Sequence, residues 1–477
     1  MKNIKKCSIM RVVKCVALNG FKNAKSFEVS IQISIYQSLF TGVLMLLQEN
    51  YASKTVKSKQ LYERAKRVLP AGVSYFIRYF EPYPFYIDWA RGSKIKDVDG
   101  NVYIDFWMGH YTHILGHSPS NIVEAVKKQI EHGTHYGVCH ELEIELAEQV
   151  VRMLPSAQMV RFSNSGTEAA MYATRLARAY TQRSKIVKFE GGWHGGYDAL
   201  HLAVKPPFDM PESNGIAEGA LKDTIVVPFN DLHETERKIK DQEVAAVIVE
   251  PVLGAGGCIP AEKEFLKGLR ELCSHKDALL IFDEIITGFR LAPGGGQQYY
   301  GVIPDVTILG KILGGGFPIG AITGRRDIME RMDPLLFERL KLSFQGGTFT
   351  ANPTTLSAGL EMLKTLEDGR IINRLNNEGE KVQRGLEDIF KRGNVDARVN
   401  RAGSLFHVHF TKEEVKNANV AYKADRKKLT EYHMALINNG VFFLLAKNGG
   451  ISDAHSKEDL EKLLVETERY VKKSGSD

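Results

Sequence analysis

The stretch DVTILGKILGGGFPIGA occupies residues 305–321, where an apolar run ends in a lysine and leads into three consecutive glycines. Similar short apolar runs precede it, namely KIVKF (185–189), TIVVPF (224–229), AAVIVEPV (245–252) and ALLIFDEI (278–285). Helix-like segments such as KEFLKGLRELCSH separate these runs. Almost continuously apolar strands that alternate with helices are typical of a mostly parallel sheet covered on both faces. The sequence therefore predicts an α/β fold.

The order of these segments divides the chain into four parts. Residues 1–56 show no clear period and are expected to be an N-terminal extension of unknown role. Residues 118–358 carry the alternation of strands and helices and are expected to form the large domain. Residues 57–117 and 359–477 flank it, with a hairpin signal in the first and mixed helix and strand patterns in the second. We expect these two ends to build a smaller α+β domain.

Composition excludes several classes of protein. The net charge of +6 is slight for 477 residues, and there is no basic stripe with interleaved aromatic residues, so a nucleic-acid partner is not expected. The five cysteines are scattered, without metal-ligand spacing or a disulfide pattern, and a reducing cytoplasm fits them. No apolar run reaches the roughly 18 residues that a membrane helix needs. We expect no metal and no membrane partner.

Lys311 is the first candidate for chemistry. It follows a buried strand, at the edge where open α/β sheets bind ligands. Burial disfavours the charged amine, and a neutral amine can form a Schiff base with an aldehyde. A nucleotide-binding P-loop is excluded, because Asp305 and Ile312 stand where that motif needs glycine and a hydroxyl residue. The alternative is a surface lysine beside a flexible loop.

Asp283 lies near the end of the apolar run ALLIFDEI. A carboxylate there is costly unless it is paired. A protonated pyridine nitrogen would be a suitable partner, and so would a cation of the protein itself. The adjacent Glu284 points to the other face of the strand and is expected to form a structural pair.

Three loops could surround a bound molecule. Ser165, Gly166 and Thr167 precede the helical stretch AAMYATRLARAY, where free N–H groups can bind phosphate, although an ordinary helix cap has the same residues. Trp193 lies between glycine pairs and could stack on a flat ring or simply pack. The segment 346–353 could contact a phosphate or only connect two elements. Arg78 suits a substrate carboxylate, or a surface ion pair.

The ordered series of motifs carries a family resemblance. SNSGTEA, GGWHGG, VEPV, FDEIITGFR, LGKILGGGFPIGA and GGTFTANP together resemble the class III (subgroup II) aminotransferases of pyridoxal-phosphate (PLP) fold type I. Within that family the glutamate-1-semialdehyde 2,1-aminomutase group is the most similar. The resemblance runs from about Ser58 to the C-terminus and implies pyridoxal 5′-phosphate as the cofactor.

The resemblance implies a role for each matching residue. Lys311 would hold the cofactor as a Schiff base and then move the proton, while Asp283 would pair with the pyridine nitrogen. Ile285 and Trp193 would cover the two faces of the ring. The phosphate would be bound by Ser165, Gly166 and Thr167.

Three further positions match functional residues of the family. Thr348 matches a threonine that reaches the phosphate of the neighbouring subunit, which implies a homodimer with shared active sites. Asn230 matches an asparagine near the cofactor, and Arg78 matches the arginine that binds the substrate carboxylate.

Two stretches depart from the aminomutase pattern. Gly109-His110-Tyr111 replaces a Ser-Trp-Gly stretch, and the segment after GVFFLL is shorter, without a glutamate before Asp453. Both line the substrate pocket in the aminomutase. We therefore expect PLP-dependent amino-group transfer on a carboxylate-bearing small molecule, with aminomutation or racemisation as alternatives. A PLP-binding protein without turnover is disfavoured by the intact set Lys311, Asp283 and Arg78.

Overall fold

A seven-stranded sheet forms the centre of the structure, a computed structural model that describes residues 42–336 and 342–474. The order of its strands is β4-β12-β11-β10-β7-β5-β6. Only β12 runs antiparallel to its neighbours, β4 and β11, and the other pairs are parallel. The strands of the described residues are β1 (Ile87–Arg91), β2 (Lys94–Asp97), β3 (Val102–Asp105), β4 (Met159–Ser163), β5 (Lys185–Phe189), β6 (Thr224–Val227), β7 (Val244–Val249), β8 (Val252–Leu253), β9 (Ile259–Pro260), β10 (Leu279–Asp283), β11 (Val306–Gly310), β12 (Gly320–Gly324), β13 (Arg398–Ala402), β14 (Leu405–His409), β15 (Val441–Phe442) and β16 (Gly449–Gly450).

Helices surround this sheet along the described residues. A helix over residues 42–54, here α1, precedes those that follow in chain order. These are α2 (Val56–Ala65), α3 (Met108–Tyr111), α4 (Ser120–His132), α5 (Glu141–Met153), α6 (Gly166–Thr181), α7 (Glu218–Leu221), α8 (Leu232–Ile239), α9 (Lys263–His275), α10 (Gly295–Tyr300), α11 (Arg326–Met329), α12 (Pro353–Leu366), α13 (Arg370–Arg392), α14 (Ala418–Lys423), α15 (Arg426–Asn438) and α16 (Lys457–Ser474).

Both faces of the central strands are buried. On β10, Ile281 packs in a cluster with Ala169 and Leu176 of α6. Its neighbours on the strand, Leu280 and Phe282, pack with residues of α9 in a different cluster. Successive side chains of a strand point to opposite faces, so the apolar runs supply two helical layers at once. The predicted parallel sheet with helices on both faces is confirmed.

The smaller domain draws on both ends of the chain. The sheet β1-β2-β3-β15 joins three early strands to a late one, with Val441 and Phe442 pairing in parallel to Ile104 and Asp105. A second small sheet, β13-β14-β16, lies wholly in the C-terminal part. The prediction of an α+β domain built from both ends is thereby confirmed, while the boundaries at residues 117 and 358 stay predictions.

Helix α1 packs on the body of the protein. Tyr51 is only 1% exposed, and its ring lies 5.7 Å from that of Phe80 and 5.6 Å from that of Tyr83, centroid to centroid. The Thr55 hydroxyl is 3.2 Å from the Tyr83 hydroxyl. The sequence places residues 42–56 in the N-terminal extension. Aromatic packing between distant segments leaves no local hydrophobic period by which the helix could be predicted. Residues 1–41 of that extension lie outside the described part.

None of the helices within 42–336 and 342–474 combines the length and the apolar character needed to cross a membrane. The same residues contain no group of three or more His, Cys, Asp or Glu side chains placed to hold a metal ion.

Candidate active site

Lys311 lies directly after β11, at the carboxyl edge of the parallel strands. Its backbone has a φ of 47°, in the left-handed region, which turns the chain away from the strand. Burial lowers the pKa of the amine, while the negative charges of Asp283 and Glu250 partly offset that effect. The lowered pKa favours the neutral amine that a reaction with an aldehyde requires.

Asp283 ends β10, the strand beside β11, and pairs in register with Ile308 three residues before the lysine. Its Oδ2 lies 2.7 Å from Nδ1 of His194, and its Oδ1 accepts a 3.1 Å hydrogen bond from the Ile285 amide. Burial lowers the pKa of His194, so the imidazole is neutral and donates through Nδ1. The carboxylate is buried with hydrogen bonds from a neutral ring and an amide.

Lys188 holds the loop that carries His194 through hydrogen bonds to its backbone. This buried side chain donates to the carbonyl oxygens of Gly192 at 3.0 Å and Leu200 at 3.1 Å, and also to that of Leu202. Burial lowers the pKa of its amine to about 7. The sequence points to Trp193 as the functional residue of this loop. The glycine pairs on both sides are the only feature of the sequence that draws attention to His194.

Glu250 fixes the same loop from the other side. Its carboxylate accepts 2.9 Å hydrogen bonds from the amides of Trp193 and Gly254. Burial, followed by the charge of Asp283, raises its pKa to about 8. The sequence shows Glu250 as part of the VEPV motif but predicts no role for it. A glutamate after a buried strand does not reveal which backbone amides it binds.

The start of α6 packs beside the cluster formed by Lys311, Asp283, His194 and Glu250. Ser165 caps the helix by accepting a 3.2 Å hydrogen bond from the Glu168 amide, and the Glu168 carboxylate accepts one of 2.7 Å from Asn164. The ordinary cap considered from sequence is therefore present. The cap uses the Glu168 amide and leaves the amides of Gly166 and Thr167, in the same first turn, for an anion.

Ile285 joins the helix start to the strand that leads to Lys311. A methyl group added at Gly166 would lie 2.5 Å from Ile285 Cδ1, and one added at Gly310 would lie 3.5 Å from Ile285 Cγ2. Gly166 is thus required for this close approach. Thr167 adds a second link, since its hydroxyl accepts a 3.3 Å hydrogen bond from Gly196 in the histidine loop.

Trp193 lies at the edge of this cluster. Its ring is 36% exposed and meets the His201 ring edge-on, with 5.3 Å between centroids. The Glu250 carboxylate holds its backbone, so the ring stands on a fixed loop beside the buried histidine and aspartate.

A second group of residues faces Lys311 from the smaller domain. His110 stacks on Tyr75 with 5.6 Å between ring centroids, and its Nε2 is buried without a hydrogen-bond partner among residues 42–336 and 342–474. Burial lowers the pKa of His110 to about 3, and the charges of Lys311, Arg78 and Lys447 lower it further. Arg78 is exposed on a short turn, and its charge reaches the same histidine as that of Lys311.

Two predicted positions remain, Thr348 and Asn230. Thr348 is exposed in the loop after residue 342. Asn230 donates to the carbonyl oxygens of Pro260 at 3.1 Å and Lys416 at 2.9 Å, and accepts from the Glu262 amide at 2.9 Å. Its side chain is engaged with three backbones outside the cluster, so the structure does not bring Asn230 to the predicted cofactor position.

Comparisons with known proteins agree with this geometry. The family model "Aminotransferase class-III" matches residues 77–451. The glutamate-1-semialdehyde 2,1-aminomutase of Methanosphaera stadtmanae is 42% identical over 416 residues, which cover 86% of this chain and 97% of that protein.

Solved structures match over similar lengths. An omega-transaminase from Sphaerobacter thermophilus superposes with a TM-score of 0.82 at 36% identity, covering 87% of this chain and 97% of the other. A beta-phenylalanine aminotransferase from Variovorax paradoxus gives 0.85 at 29% identity, with coverages of 92% and 98%. The chain described here belongs to the class III aminotransferase family.

Proposed function

We propose that this chain is a PLP-dependent enzyme that transfers an amino group on a carboxylate-bearing small molecule. One observation carries the proposal: Asp283 is a buried carboxylate whose hydrogen bonds come from a neutral histidine and an amide. Such a charge is costly without a cation. The protonated pyridine nitrogen of PLP would supply one.

The other residues fit the remaining parts of the cofactor. The first turn of α6, with Ser165, Gly166 and Thr167, offers amides and hydroxyls to the phosphate. Ile285 lies between this turn and the strand that leads to Lys311. Trp193 stands on a fixed loop and is suited to the other ring face. A structure of a "Transaminase with PLP bound" is similar to this chain at 33% identity, which supports the assignment.

When bound, PLP supplies an aldehyde that combines with amines and an electron-withdrawing ring that stabilises negative charge at the substrate carbon. Lys311, whose amine has a pKa lowered by burial, would accept the proton from that carbon and return it. Asp283 would keep the ring nitrogen protonated, with its orientation set by His194. Arg78 would bind the substrate carboxylate and so fix which carbon faces the lysine amine.

Covalent labelling tests the role of Lys311. Borohydride reduction of the yellow protein should fix the cofactor to Lys311, located by peptide mapping, and Lys311→Ala should lose the visible absorption band. Lys427→Ala, at an exposed position, should retain the label and the spectrum. A label on another lysine would contradict the proposal, and so would a Lys311→Ala protein with full turnover.

Aminomutation is a second candidate. Curated relatives that are 41–44% identical to this chain carry the name glutamate-1-semialdehyde 2,1-aminomutase. Solved transaminases are 29–36% identical. The same cluster can serve both outcomes, because they differ in whether the amino group returns to the same molecule.

A homodimer completes the proposal. Thr348 lies in a loop that also exposes Phe344 and Phe349, at 69% and 60%, and Phe76 is 94% exposed beside Arg78. Large exposed apolar side chains of this kind favour burial against a second copy. Light scattering should show a dimer, and Thr348→Ala should weaken cofactor retention while Ser213→Ala does not. A monomer with full activity would exclude shared sites.

The proposed location is the cytoplasm. The described cysteines Cys139, Cys258 and Cys273 are free thiols, which supports a reducing compartment.

A further inference from the structure

A cationic cavity lies next to the proposed substrate pocket. It has a volume of about 50 Å³ and is enclosed by the loop 254–257, strand β14, the start of α15 and residues 446–448. Three of its described lining residues carry a positive charge, namely Lys205, Arg426 and Lys447. Asp425 is the acidic residue among them. The charge around this cavity is therefore strongly positive.

Asp425 caps a helix and forms no ion pair with these three cations among the described residues. Its Oδ1 accepts a 2.9 Å hydrogen bond from the Lys428 amide and caps α15. The Arg426 guanidinium lies over the Tyr422 ring at 4.7 Å from its centroid. Burial, followed by the charges of Arg426 and Lys205, lowers the pKa of Lys447 to about 8. A cavity built in this way is stabilised by an anion.

A neutral donor is also present in the wall. His407 is buried on β14, and its Nδ1 has no hydrogen-bond partner within the described part of the chain. Burial holds its pKa well below the ordinary range, so the ring is neutral and can donate from one nitrogen. Its neighbour His409 is already engaged, with Nε2 2.9 Å from the Gly257 carbonyl oxygen. An anion in the cavity would give His407 the partner that it lacks.

The cavity adjoins the residues around Lys311. Asn448 donates a 2.8 Å hydrogen bond to the Gly254 carbonyl oxygen, and the Gly254 amide donates to the Glu250 carboxylate at 2.9 Å. The charges of Lys311, Arg78 and Lys447 each lower the pKa of His110. The segment that carries Lys447 also packs beside the residue after His110, since a methyl group added at Gly450 would lie 3.4 Å from the Tyr111 ring. A small molecule beside His110 could therefore reach Arg78 with one end and Lys447 with the other.

We propose that Lys447, with Arg426 and Lys205 at the mouth and His407 in the wall, binds the second carboxylate of a dicarboxylic amino or oxo acid. This rests on the proposed function, in which Arg78 binds the first carboxylate. The volume suits a carboxylate, because about 50 Å³ is room for only a few water-sized groups. The substrate class is then a dicarboxylate that serves as amino donor or acceptor.

Calorimetric binding of unreactive acids to the cofactor-loaded enzyme tests this inference without turnover. Glutarate carries two carboxylates, and valerate has the same number of carbons with one. We expect glutarate to bind at least ~10-fold more tightly than valerate, the scale of one charge-assisted hydrogen bond. Lys447→Met should reduce glutarate affinity to the valerate level and leave valerate unchanged. Lys427→Met, on the exposed side of α15, should behave like wild type.

Three results would overturn the inference. Equal binding of glutarate and valerate to wild type would remove the need for a second subsite. Full glutarate affinity in Lys447→Met would exclude the lysine. Inorganic phosphate that binds more tightly than glutarate, and in a Lys447-dependent way, would assign the cavity to a phosphate group instead.

A second variant keeps the test valid if Lys447→Met does not fold. Arg426 is exposed at the mouth, and Arg426→Gln should weaken glutarate without affecting valerate. An unchanged glutarate affinity would then count against the subsite. Because no turnover is measured, a failure of the proposed function would appear separately, as loss of the visible spectrum or of the Lys311 label.

Discussion

Asp283 and His194 show how the site depends on a pair of residues. The carboxylate ends a fully buried strand and meets a histidine that burial keeps neutral. A neutral imidazole orients the carboxylate without cancelling its charge. The full negative charge is then available to a cation that enters from outside the protein, and this is what a protonated ring nitrogen requires.

The variant Asp283→Asn tests this arrangement. Asparagine keeps the shape and can still contact His194, but it offers no negative charge to a ring nitrogen. We expect activity to fall by at least ~10²-fold, the scale for loss of one preorganised electrostatic partner. Circular dichroism and thermal unfolding should stay close to wild type, and the cofactor spectrum should shift. Near-normal steady-state rates would refute the role of the charge.

At this scale the sequence predicted some residues and missed others for physical reasons. Lys311 and Asp283 follow apolar strands, so strand order alone places them at one edge. His194 and Glu250 act on them through a loop whose path depends on the buried Lys188. Asn230 follows a strand too, but its backbone has a φ of 60° and its amide is engaged by neighbouring backbones. No sequence pattern records that competition.

Among the elements, the central strands were the most predictable and α1 the least. The apolar runs at 245–252 and 278–285 contain β7 and β10, because a strand buried on both faces has few polar residues. Helix α1 is recognised only through its contacts. Tyr51 meets Phe80 and Tyr83, which come about thirty residues later in the chain.

Tyr51→Ala should therefore destabilise the protein, although the residue lies outside every recognised motif. Removing a buried aromatic ring costs about 3 kcal/mol or more in free energy of unfolding. Chemical denaturation would measure it, with Tyr299→Ala as a control because Tyr299 is 47% exposed. A chain starting at residue 42 should keep wild-type stability, whereas one starting at residue 57 should lose as much as Tyr51→Ala or more. Equal stability of the two truncated chains would show that α1 contributes nothing.

For the whole molecule, the pocket depends on contacts between distant parts of the chain. Arg290 is buried and donates to the Ser404 hydroxyl at 2.9 Å and to the Tyr111 carbonyl oxygen. Burial lowers its pKa to about 10, and its charge in turn lowers the pKa of Lys311. One guanidinium thus ties two segments of the smaller domain to the lysine edge of the sheet. The sequence shows both domains, but not this connection, because it joins residues more than a hundred positions apart.

The residues that the smaller domain places near Lys311 also affect which reaction the enzyme performs. An aminomutase must hold its deaminated intermediate until the amino group returns, which requires a pocket that fits one small molecule. Here His110, in the altered stretch Gly109-His110-Tyr111, has a buried nitrogen without a partner among the described residues, and Lys447 lines a cationic cavity. These features favour exchange of two substrates, whereas the names of the curated relatives favour rearrangement.

Turnover of glutamate-1-semialdehyde decides between these outcomes. We expect the purified, cofactor-loaded enzyme to form little 5-aminolevulinate from it alone, because the altered stretch at His110 and the cationic cavity at Lys447 would let the intermediate leave before the amino group returns. Turnover should appear when a dicarboxylic amino acid and an oxo acid are supplied together, and Lys447→Met should raise the KM for the dicarboxylate more than it lowers kcat. Chromatography of the products measures both reactions on one preparation, with Lys311→Ala as the inactive control. Rapid conversion of the semialdehyde without any added donor would instead identify an aminomutase, in which the pocket retains its intermediate despite the altered lining.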